Sequence, residues 1–564
     1  MLESQPLIRP PAGEPRRRAR SFAVGCLLVA LLMSGRWARR AQPTAQDLGE
    51  RKSAPSAPLQ SAESSTSHRI NVPMSDFLRF PKVVDHLVAK GVHDPLNANE
   101  STLLDYLPKR LTIDVDDDAL RGDIGEDATG GYVSFNVYNG EAASWMVVMS
   151  TTGKLHQVSP GKSAGNVGEG HFCGFKNLDE QKMLLAAEAN YTGSGHAYIW
   201  DWRKDTYERI GGDAIYSAHD IQWAVSRKDA FWIPWAIDTT SSKNAMLVDA
   251  RTGEVYHTLQ TTYGTAADVN HVQMLENDTL AVVSLRLANG IAKFNVTNSS
   301  SKGGELLWVV GGEYGTWPIR DFDRSVLHPP GSTLWSWQHN AEYIGEGEYA
   351  MFDNGGLGNE SRMLIVSVNE TAREAALEWE YRLGTYSMIF GDHDPVPTGN
   401  MQGAYWRTSF GNRTGDEQAH SGLVEVVRAS KRVAWHMRVY GRDCPHDHCK
   451  NNIWNGWKFY SSERFFEAPL LPASSSSIAP RCKGGVLEFT TWNSFKQNHG
   501  APGSFALTES ATGRVLAAGA LRFAPFWRPT EVSRRVEVAT ATAVELEVFN
   551  ERGRSAKTSM MCTV

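Results

Sequence analysis

Five histidines recur through the middle of the chain at intervals of about 45–70 residues. Each opens a segment in which an aromatic residue or Leu usually follows four positions later, and a polar turn and a β-rich run come next. The five are His171, His219, His271, His339 and His393. A neutral imidazole can act as a nucleophile or carry a proton near neutral pH, so the set indicates a histidine-based site. The alternative is that each histidine is buried and hydrogen-bonds between repeats.

The elements that must position these histidines are short β-strands. Each repeat has room for about four of them, and repeats of this length and strand content are typical of a β-propeller. An opening unit around residues 131–158 brings the predicted number of blades to six. If the histidines begin the innermost strands, they converge on one mouth of the central channel.

Composition excludes several classes of protein. The chain has 564 residues, 57 Lys+Arg against 63 Asp+Glu and a formal net charge of −6, so it lacks the basic excess of a general nucleic-acid binder. Fifty Gly, 18 Trp and 17 Tyr favour a β-rich fold. Six Cys are too few for a disulfide scaffold, so packing must supply the core. The predicted fold class is all-β.

The composition of the N-terminal region predicts a targeting segment followed by a disordered stalk. Residues 1–20 form a basic tail, and residues 21–35 hold an apolar run that is either a signal peptide or a short signal-anchor. As an anchor, it would keep the tail in the cytosol and face the rest into the lumen. Residues 36–75 are the predicted disordered stalk and residues 76–130 a lead-in to a propeller at 131–471. We therefore expect a secretory-pathway membrane protein facing the ER or Golgi lumen, or a secreted or cell-surface one.

Glycosylation sequons agree with that location. Eight N-x-[ST] motifs occur, and none lies in the N-terminal tail. They begin at Asn99, Asn190, Asn277, Asn295, Asn298, Asn359, Asn369 and Asn412.

A Ser- and Pro-rich linker at 472–480 precedes a C-terminal segment, 481–564, whose alternating strands predict a small β-sandwich. Cys482 and Cys562 bracket this segment and could form a disulfide. Cys444 and Cys449 flank a short His-containing loop, which indicates a second disulfide or, alternatively, a Cys/His metal site.

No motif in the sequence clearly predicts a bound cofactor. Residues 160–163 resemble the end of a phosphate-binding loop, but His156 stands where that motif requires Gly. Two acidic turns, at 321–323 and 353–355, could ligate Ca²⁺, although turn-forming residues of this kind require no metal. We therefore expect no cofactor, with Ca²⁺ as the alternative.

Several motifs over roughly residues 130–468 resemble the arylsulfotransferase family. The central block is Gln338-His-Asn-Ala-Glu-Tyr343, then Tyr349-Ala-Met-Phe-Asp-Asn-Gly355 and Ser361-Arg-Met-Leu364. Further matches are His219-Asp-Ile-Gln-Trp223, Leu377-Glu-Trp-Glu-Tyr381 and Pro397-Thr-Gly-Asn-Met401. Family members are six-bladed propellers, and the resemblance implies transfer of sulfate from an aryl sulfate ester to a phenol through a transient sulfohistidine, without a nucleotide donor.

The resemblance also implies roles for particular residues. His339 and Arg362 match family positions, so His339 would be the general acid and base and Arg362 would hold the sulfate oxygens. His393 is the nearest candidate for the nucleophile. Asp268 takes the place of another family histidine, and His271 follows three residues later. Either His271 or His219 would be the second hydrogen-bond donor to the sulfate oxygens, beside Arg362. The remaining candidates for substrate binding are His171, His219, Asn270 and Trp337.

Two other functions remain open from the sequence. One is a non-catalytic lumenal propeller that binds a glycan or a protein, with structural histidines in its channel. The other is a hydrolase in which water replaces the phenol.

Overall fold

Strands form nearly all of the regular structure. The computed structural model describes residues 67–139, 143–161, 170–189, 194–234, 244–260, 269–297, 303–355, 360–407, 419–441, 456–497 and 499–564. Six sheets of at least four strands each follow one another as blades, and a seventh sheet follows them in the chain. The predicted all-β fold with a six-bladed propeller is confirmed.

The lead-in segment packs on the propeller. Its elements are β1 (Ser67–Pro73), a 3₁₀ turn (Met74–Arg79), α1 (Pro81–Ala89), α2 (Glu100–Leu103), β2 (Arg110–Asp116), α3 (Asp117–Arg121) and α4 (Glu126–Thr129). Pro81 begins α1, where its missing N–H costs nothing. Asn99 caps α2, because its side chain accepts a hydrogen bond of 2.9 Å from the Ser101 N–H. None of the helices in the described ranges is long and apolar enough to cross a membrane, and the predicted membrane segment 21–35 lies outside those ranges.

The first three blades follow in order. Blade 1 contains β3 (Tyr132–Asn139), β4 (Ala143–Ser150) and β5 (Leu155–Pro160). Blade 2 contains β6 (Gly170–Asn177), β7 (Lys182–Ala189), β9 (Ala197–Asp201) and β10 (Thr206–Ile210), with the short β8 (Ser194–Gly195) beside it. Blade 3 contains β12 (Gln222–Trp223), β13 (Ala230–Pro234), β14 (Asn244–Asp249) and β15 (Val255–Gln260), preceded by β11 (Tyr216–Ser217), which pairs with β8.

The remaining blades repeat the pattern. Blade 4 contains β16 (Val269–Leu275), β17 (Leu280–Leu285), a 3₁₀ turn (Arg286–Ala288), β18 (Gly290–Asn295) and β19 (Glu305–Val310). Blade 5 contains β22 (His339–Gly345), β23 (Glu348–Asp353), β24 (Arg362–Asn369) and β25 (Glu374–Arg382), extended by β20 (Ile319–Arg320) and β21 (Leu327–His328). Blade 6 contains β26 (Asp392–Pro395), β27 (Met401–Trp406), β28 (Ser421–Val426) and β29 (Val433–Tyr440). The lead-in strands β2 and β1 extend its outer edge.

The propeller ring closes with a strand from its far end. The innermost strand of blade 1 is β30 (Lys458–Phe465), which pairs antiparallel with β3. Hydrogen bonds between the first and last parts of the propeller therefore hold the ring shut. Large aromatic side chains fill the blades, and eight tryptophans are fully buried: Trp145, Trp200, Trp232, Trp308, Trp335, Trp406, Trp435 and Trp457.

The predicted small C-terminal β-domain is confirmed, and its seven strands form a nearly closed sheet. Its strands are β31 (Arg481–Lys483), β32 (Val486–Thr491), β33 (Ala501–Glu509), β34 (Val515–Phe523), β35 (Thr530–Arg535), β36 (Thr542–Asn550) and β37 (Ser555–Cys562). They lie in the order β34-β33-β36-β37-β31-β32-β35. The predicted Cys482–Cys562 disulfide is present and joins the neighbouring strands β31 and β37. That parallel pair links the two halves of the domain into a single sheet, which alternation along individual strands cannot predict.

Candidate active site

The five repeat-opening histidines lie at or next to the innermost strands, as the repeat predicted. Four are on these strands and the fifth lies three residues before one: His171 (β6), His271 (β16), His339 (β22), His393 (β26) and His219 (before β12). For His171 only the backbone is described. Their side chains lie in different surroundings, because alternate residues of a strand point to opposite faces.

Two of these histidines contact the same aromatic side chain, which comes from another blade. The Tyr460 ring, on β30, lies edge-on to the His219 ring at 6.1 Å and to the His339 ring at 5.9 Å between centroids. The Phe390 ring lies 5.1 Å from the Tyr460 ring. We call these four residues the histidine layer. They come from blades 1, 3 and 5 and from the segment that enters blade 6, so the propeller ring brings them together.

The hydrogen bonds of His339 fix its tautomer. Its Nδ1 lies 2.7 Å from Asn354 Oδ1 and 3.1 Å from the Trp337 carbonyl oxygen. Asn354 Nδ2 donates to the carbonyl oxygens of Ser387 and Phe390, which orients the amide with its oxygen toward His339. Since both partners of Nδ1 are acceptors, Nδ1 carries the proton and Nε2 keeps its lone pair. Nε2 has no hydrogen-bond partner among the described residues.

His339 is also held in its neutral form. Burial, and then the positive charge of Arg286 and the proximity of His219, lower the pKa of His339 well below its usual value. Arg286 is half-buried in the 3₁₀ turn of blade 4. His219 is half-buried as well, with Nδ1 2.9 Å from Ser217 Oγ. The layer therefore combines a neutral imidazole, a second imidazole and a nearby guanidinium.

His393 occupies a different environment. Its ring is fully buried and stacks on Trp379 at 5.6 Å between centroids, and Nδ1 lies 3.1 Å from the Met351 carbonyl oxygen. Both partners belong to blade 5, so the ring packs between blades 5 and 6. Burial lowers the pKa of His393 to about 4. These contacts are the inter-blade alternative that the sequence left open for each histidine.

The Arg362 guanidinium is fully engaged by protein groups. Nε donates to Asp353 Oδ2 at 2.7 Å, Nη1 to Glu380 Oε2 at 2.8 Å, and Nη2 to the Leu334 carbonyl oxygen at 2.7 Å. Asp353 also accepts from the backbone N–H of Ser336. Arg362 thus ties the third strand of blade 5 to the segment that leads into His339, and the predicted sulfate-holding role stays a prediction.

A second layer of the channel is ionic. Lys176 Nζ lies 2.8 Å from Glu342 Oε1 and 3.8 Å from Glu463 Oε1, and Lys496 Nζ lies 2.7 Å from Glu342 Oε2 and 2.6 Å from Asp394 Oδ1. We call the full set the ionic layer. It takes one residue from each blade and one from the C-terminal domain: Glu463, Lys176, Asp220, His271, Glu342, Asp394 and Lys496.

His271 belongs to this ionic layer. Its Nδ1 lies 3.0 Å from Asp220 Oδ2 and its Nε2 3.4 Å from Glu342 Oε1. Burial opposes its charged form, but the two carboxylates prevail and raise the pKa of His271 to about 9. The protonated ring is therefore a cation held between acids, and it has no lone pair to offer.

Two further predicted binding residues support the strand that carries His339. The buried Asn270 donates through Nδ2 to the Gln338 carbonyl oxygen at 2.8 Å. Trp337 is half-buried with φ 56°, and its backbone N–H donates to Asn289 Oδ1 at 2.8 Å. Trp337 lies in the chain beside the histidine layer, two residues before His339.

The two acidic turns act as turn-formers. Asp321 and Asp323 accept from the backbone N–H groups of Val326 and Ser325. Asp353 accepts from the Gly355 N–H and from Arg362. Within the described ranges, no three His, Cys, Asp or Glu residues are grouped so that they could hold a metal ion.

Four sequon asparagines lie in the described ranges. Asn99, Asn277 and Asn369 are exposed, and Asn295, the last residue of β18, is half-buried and accepts through its side chain from the Thr297 N–H and hydroxyl. The other sequons and the predicted loop disulfide lie outside those ranges: Asn190, Asn298, Asn359, Asn412, Cys444 and Cys449.

Sequence reasoning missed Tyr460 and the ionic layer. Tyr460 lies in a stretch with no histidine opener, so its strand was not recognised as an innermost one. Glu342 and Asp394 could have been found, since they lie three residues after His339 and one after His393 on the same short strands. Lys496 carries no such signal, because it comes from another domain.

A surface groove of about 630 Å³ lies between blades 4 and 5. Leu280 and Tyr343 line it together with the sequon residue Asn369. Its lining includes no member of the histidine layer, so the groove is not the site at which the histidines meet.

Comparison with solved structures returns propeller-like proteins at low similarity. A putative 6-phosphogluconolactonase from Bacteroides fragilis NCTC 9343 is 10% identical with a TM-score of 0.32, over 72% of this chain and 99% of that one. The periplasmic gluconolactonase PpgL of Pseudomonas aeruginosa is 9% identical with a TM-score of 0.30, over 63% and 86%. Scores this low carry no functional argument.

The family comparison is more specific. No curated protein matches the chain. Residues 263–446, which hold His271, His339, Arg362 and His393, match the family model of the arylsulfotransferases (ASST).

Proposed function

We propose that the protein is an arylsulfotransferase-like enzyme that moves a sulfuryl group from an aryl sulfate ester to a phenol at the histidine layer. The observation that carries the proposal is His339, whose buried, neutral ring presents Nε2 within the segment that matches the family. A sulfate monoester is anionic and repels anionic nucleophiles, so a neutral imidazole is the suitable attacking group.

In the first half-reaction, the lone pair of His339 Nε2 attacks sulfur. An N–S bond forms, the S–O bond to the aryl group breaks, and its electron pair leaves on the phenolate oxygen, which takes a proton. The imidazole becomes positively charged as the bond forms. The two acceptor oxygens on Nδ1, from Asn354 and Trp337, stabilise that charge without having to reorganise.

In the second half-reaction, the acceptor phenol loses its proton and attacks the same sulfur. The N–S bond breaks, its electron pair returns to Nε2, and the sulfated phenol leaves. His219 faces His339 across the Tyr460 ring and is our candidate for the group that gives the first proton and takes the second. The Phe390 and Tyr460 rings offer faces on which an aryl group can stack.

The sulfate needs a cation, and Arg286 is the candidate. It lies close enough to His339 to lower that residue's pKa, and a guanidinium fork matches two sulfate oxygens. In this proposal Arg362 and His393 are scaffold residues and His271 is a structural cation. Their contacts with Asp353, Trp379 and Asp220 support those assignments.

The test is donor-dependent sulfation by the purified protein. The protein is incubated with an aryl sulfate and a phenol, and both the sulfated phenol and free sulfate are measured. Quenching with donor alone should leave one added SO₃ group on the peptide that contains His339. Free sulfate without sulfated phenol would favour a hydrolase, and no turnover of any aryl sulfate would favour a non-catalytic propeller.

Variants separate the residue roles. Arg286→Met should raise the KM for the aryl sulfate, whereas Arg362→Met should act mainly on stability. If Arg362→Met alone raises KM while the protein keeps its native stability, the sulfate site includes Arg362 and the assignment to Arg286 is wrong.

We also propose a lumenal or extracellular location. The Cys482–Cys562 disulfide and the exposed sequons Asn99, Asn277 and Asn369 support it, because disulfides persist in oxidising compartments. An increase in gel mobility after glycosidase treatment, made smaller by Asn→Gln changes at these three sites, tests it. A mobility shift that these changes leave as it was, or no shift at all, would contradict it.

A further inference from the structure

The C-terminal domain contacts the end of the channel that lies away from the histidine layer. The Trp527 indole N–H donates to the Ile344 carbonyl oxygen at 2.8 Å, and the Ser494 hydroxyl donates to Glu180 Oε1 at 2.6 Å. Ser494 also accepts through its carbonyl oxygen from the Phe466 N–H. Ile344, Glu180 and Phe466 lie at or just beyond the last residues of β22, β6 and β30, so the domain covers this end of three blades.

Between β32 and β33 the domain inserts one charged side chain into the propeller. The Lys496 side chain is only 5% exposed, and its ammonium group bridges a carboxylate of blade 5, Glu342, and one of blade 6, Asp394. Asn340 donates to the same Asp394 oxygen at 3.1 Å. A buried ammonium between two carboxylates is stable only because both partners are in place.

We propose that Lys496 is a positioning residue of the channel, through which the C-terminal domain plugs one end of the propeller and fixes the strand that carries His339. The proposal rests on the proposed function for its catalytic consequence, though not for its structural one. Glu342 follows His339 by three residues on β22, and a bulge between them opposes these three steps to only two on β23, so they lie about 7 Å apart along the strand. The ion pair between Lys496 and Glu342 therefore fixes the position of β22 in the channel, and with it the position of the His339 ring on the same strand.

The groups that face Lys496 come from every blade around it. Lys176 shares Glu342, and Glu463 and Asp392 lie next in the same buried cluster. His271 and Asp220 complete it on the side of blades 3 and 4. Removal of Lys496 would leave an excess of buried acids, which can regain neutrality only by taking up protons.

The first experiment compares Lys496→Met with Arg528→Met in the full chain. Arg528 belongs to the same domain interface but pairs with the exposed Glu346, so its replacement should move Tm little. Lys496→Met should lower Tm by about 5 °C or more near pH 8, and by less near pH 5, where the orphaned acids are protonated. Equal losses in the two variants, or a pH-independent loss, would overturn the proposal.

The second experiment asks whether the charge or the volume of Lys496 matters. Lys496→Ala removes the atoms of n-propylammonium, so this cation should raise the Tm of the variant while 1-propanol and sodium chloride at matched concentration should not. Lys496→Arg should retain most of the wild-type Tm. Rescue by 1-propanol as good as by the cation would show that Lys496 only fills space and would overturn the proposal.

If Lys496→Met is too unstable to purify, the double variant Lys496→Met/Asp394→Asn covers that case. Neutralising Asp394 removes part of the uncompensated charge, so the double variant should give a higher yield of soluble, folded protein than Lys496→Met. An equal or lower yield would count against the charge argument.

Enzyme kinetics test whether Lys496 also affects catalysis. Lys496→Met should lower kcat for sulfuryl transfer while leaving the KM for the aryl sulfate nearly unchanged, with kcat regained in Lys496→Arg. If the wild-type protein has no transferase activity, the proposed function fails while the thermal experiments still decide the role of Lys496. A normal kcat in a destabilised Lys496→Met would confine that role to stability.

Discussion

The two layers of the channel use the same innermost strands for opposite purposes. The histidine layer holds a neutral imidazole with a lone pair available, surrounded by aromatic rings. The ionic layer, which follows the histidine layer along the chain in each of these strands or the segment that leads into it, holds cations and carboxylates that neutralise one another at 2.6–3.8 Å. His339 and His271 are both repeat-opening histidines, yet one is kept neutral and the other is protonated.

The difference follows from what surrounds each ring. Burial alone disfavours imidazolium, so a buried histidine without a carboxylate becomes neutral, as His339 does. His271 has Asp220 and Glu342 within 3.4 Å and keeps its proton. The comparison teaches that the same strands can carry a neutral imidazole near their starts and, further along, paired charges that join neighbouring blades.

The largest effect should come from the reactive ring. His339→Asn should lower kcat/KM for sulfuryl transfer by about 10⁴-fold, because no lone pair replaces Nε2. Steady-state kinetics and the absence of the SO₃-labelled peptide check this. His328→Asn, on the outer strand β21, is the control and should leave both unchanged. Retained transfer in His339→Asn would move the nucleophile elsewhere.

The next effect should be on stability and should come from the ionic layer. Glu342→Gln leaves Lys176, Lys496 and His271 short of a counter-ion, so it should lower the free energy of unfolding by about 3–5 kcal/mol. Chemical denaturation measures it. Glu346→Gln, with its side chain 81% exposed, should cost less than about 1 kcal/mol. Similar losses in both would mean that the ionic layer is not the anchor we describe.

A third change tests whether His393, a repeat-opening histidine outside both layers, serves only to pack blades 5 and 6 together. His393→Phe keeps a ring against Trp379 but loses the hydrogen bond to the Met351 carbonyl oxygen. It should lower the free energy of unfolding by about 1–3 kcal/mol and keep transfer within a few-fold. Loss of transfer at native stability would restore His393 as the nucleophile, as the family resemblance implied.

The smallest effect, taken per pH unit, is the pH dependence of stability above about pH 6.5. His271, with a folded pKa of about 9, contributes stability fully below the unfolded value and loses it as pH rises. Burial raises the pKa of Asp392 to about 7 and that of Glu463 to about 8, so each loses stability as pH rises to its folded value, Asp392 up to about pH 7 and Glu463 up to about pH 8. The free energy of unfolding should fall by about 1 kcal/mol or more per pH unit between pH 6.5 and 9, measured by urea titration at each pH. A rise would contradict these assignments.

Much of the architecture was predictable because it depends on the spacing of residues close together in the sequence. The histidine openers, the unit length and the polar turns gave six blades, and Cys482 and Cys562 gave the C-terminal link. The lead-in strands on blade 6 and the closing strand β30 were not predictable, since each pairs with a partner hundreds of residues away. Tyr460, at the centre of the histidine layer, was not predictable either, because it lies on β30 and no histidine marks that strand.

The sequence by itself located five of the six innermost strands through their histidines, because periodic turns and β-rich runs are local properties. Only the tertiary structure decided what each histidine became. His339 faces Asn354 and Tyr460, His271 faces two carboxylates, and His393 turns into the core between two blades. The physical reason is that the protonation state and reach of an imidazole depend on partners from other blades and, through Lys496, from another domain.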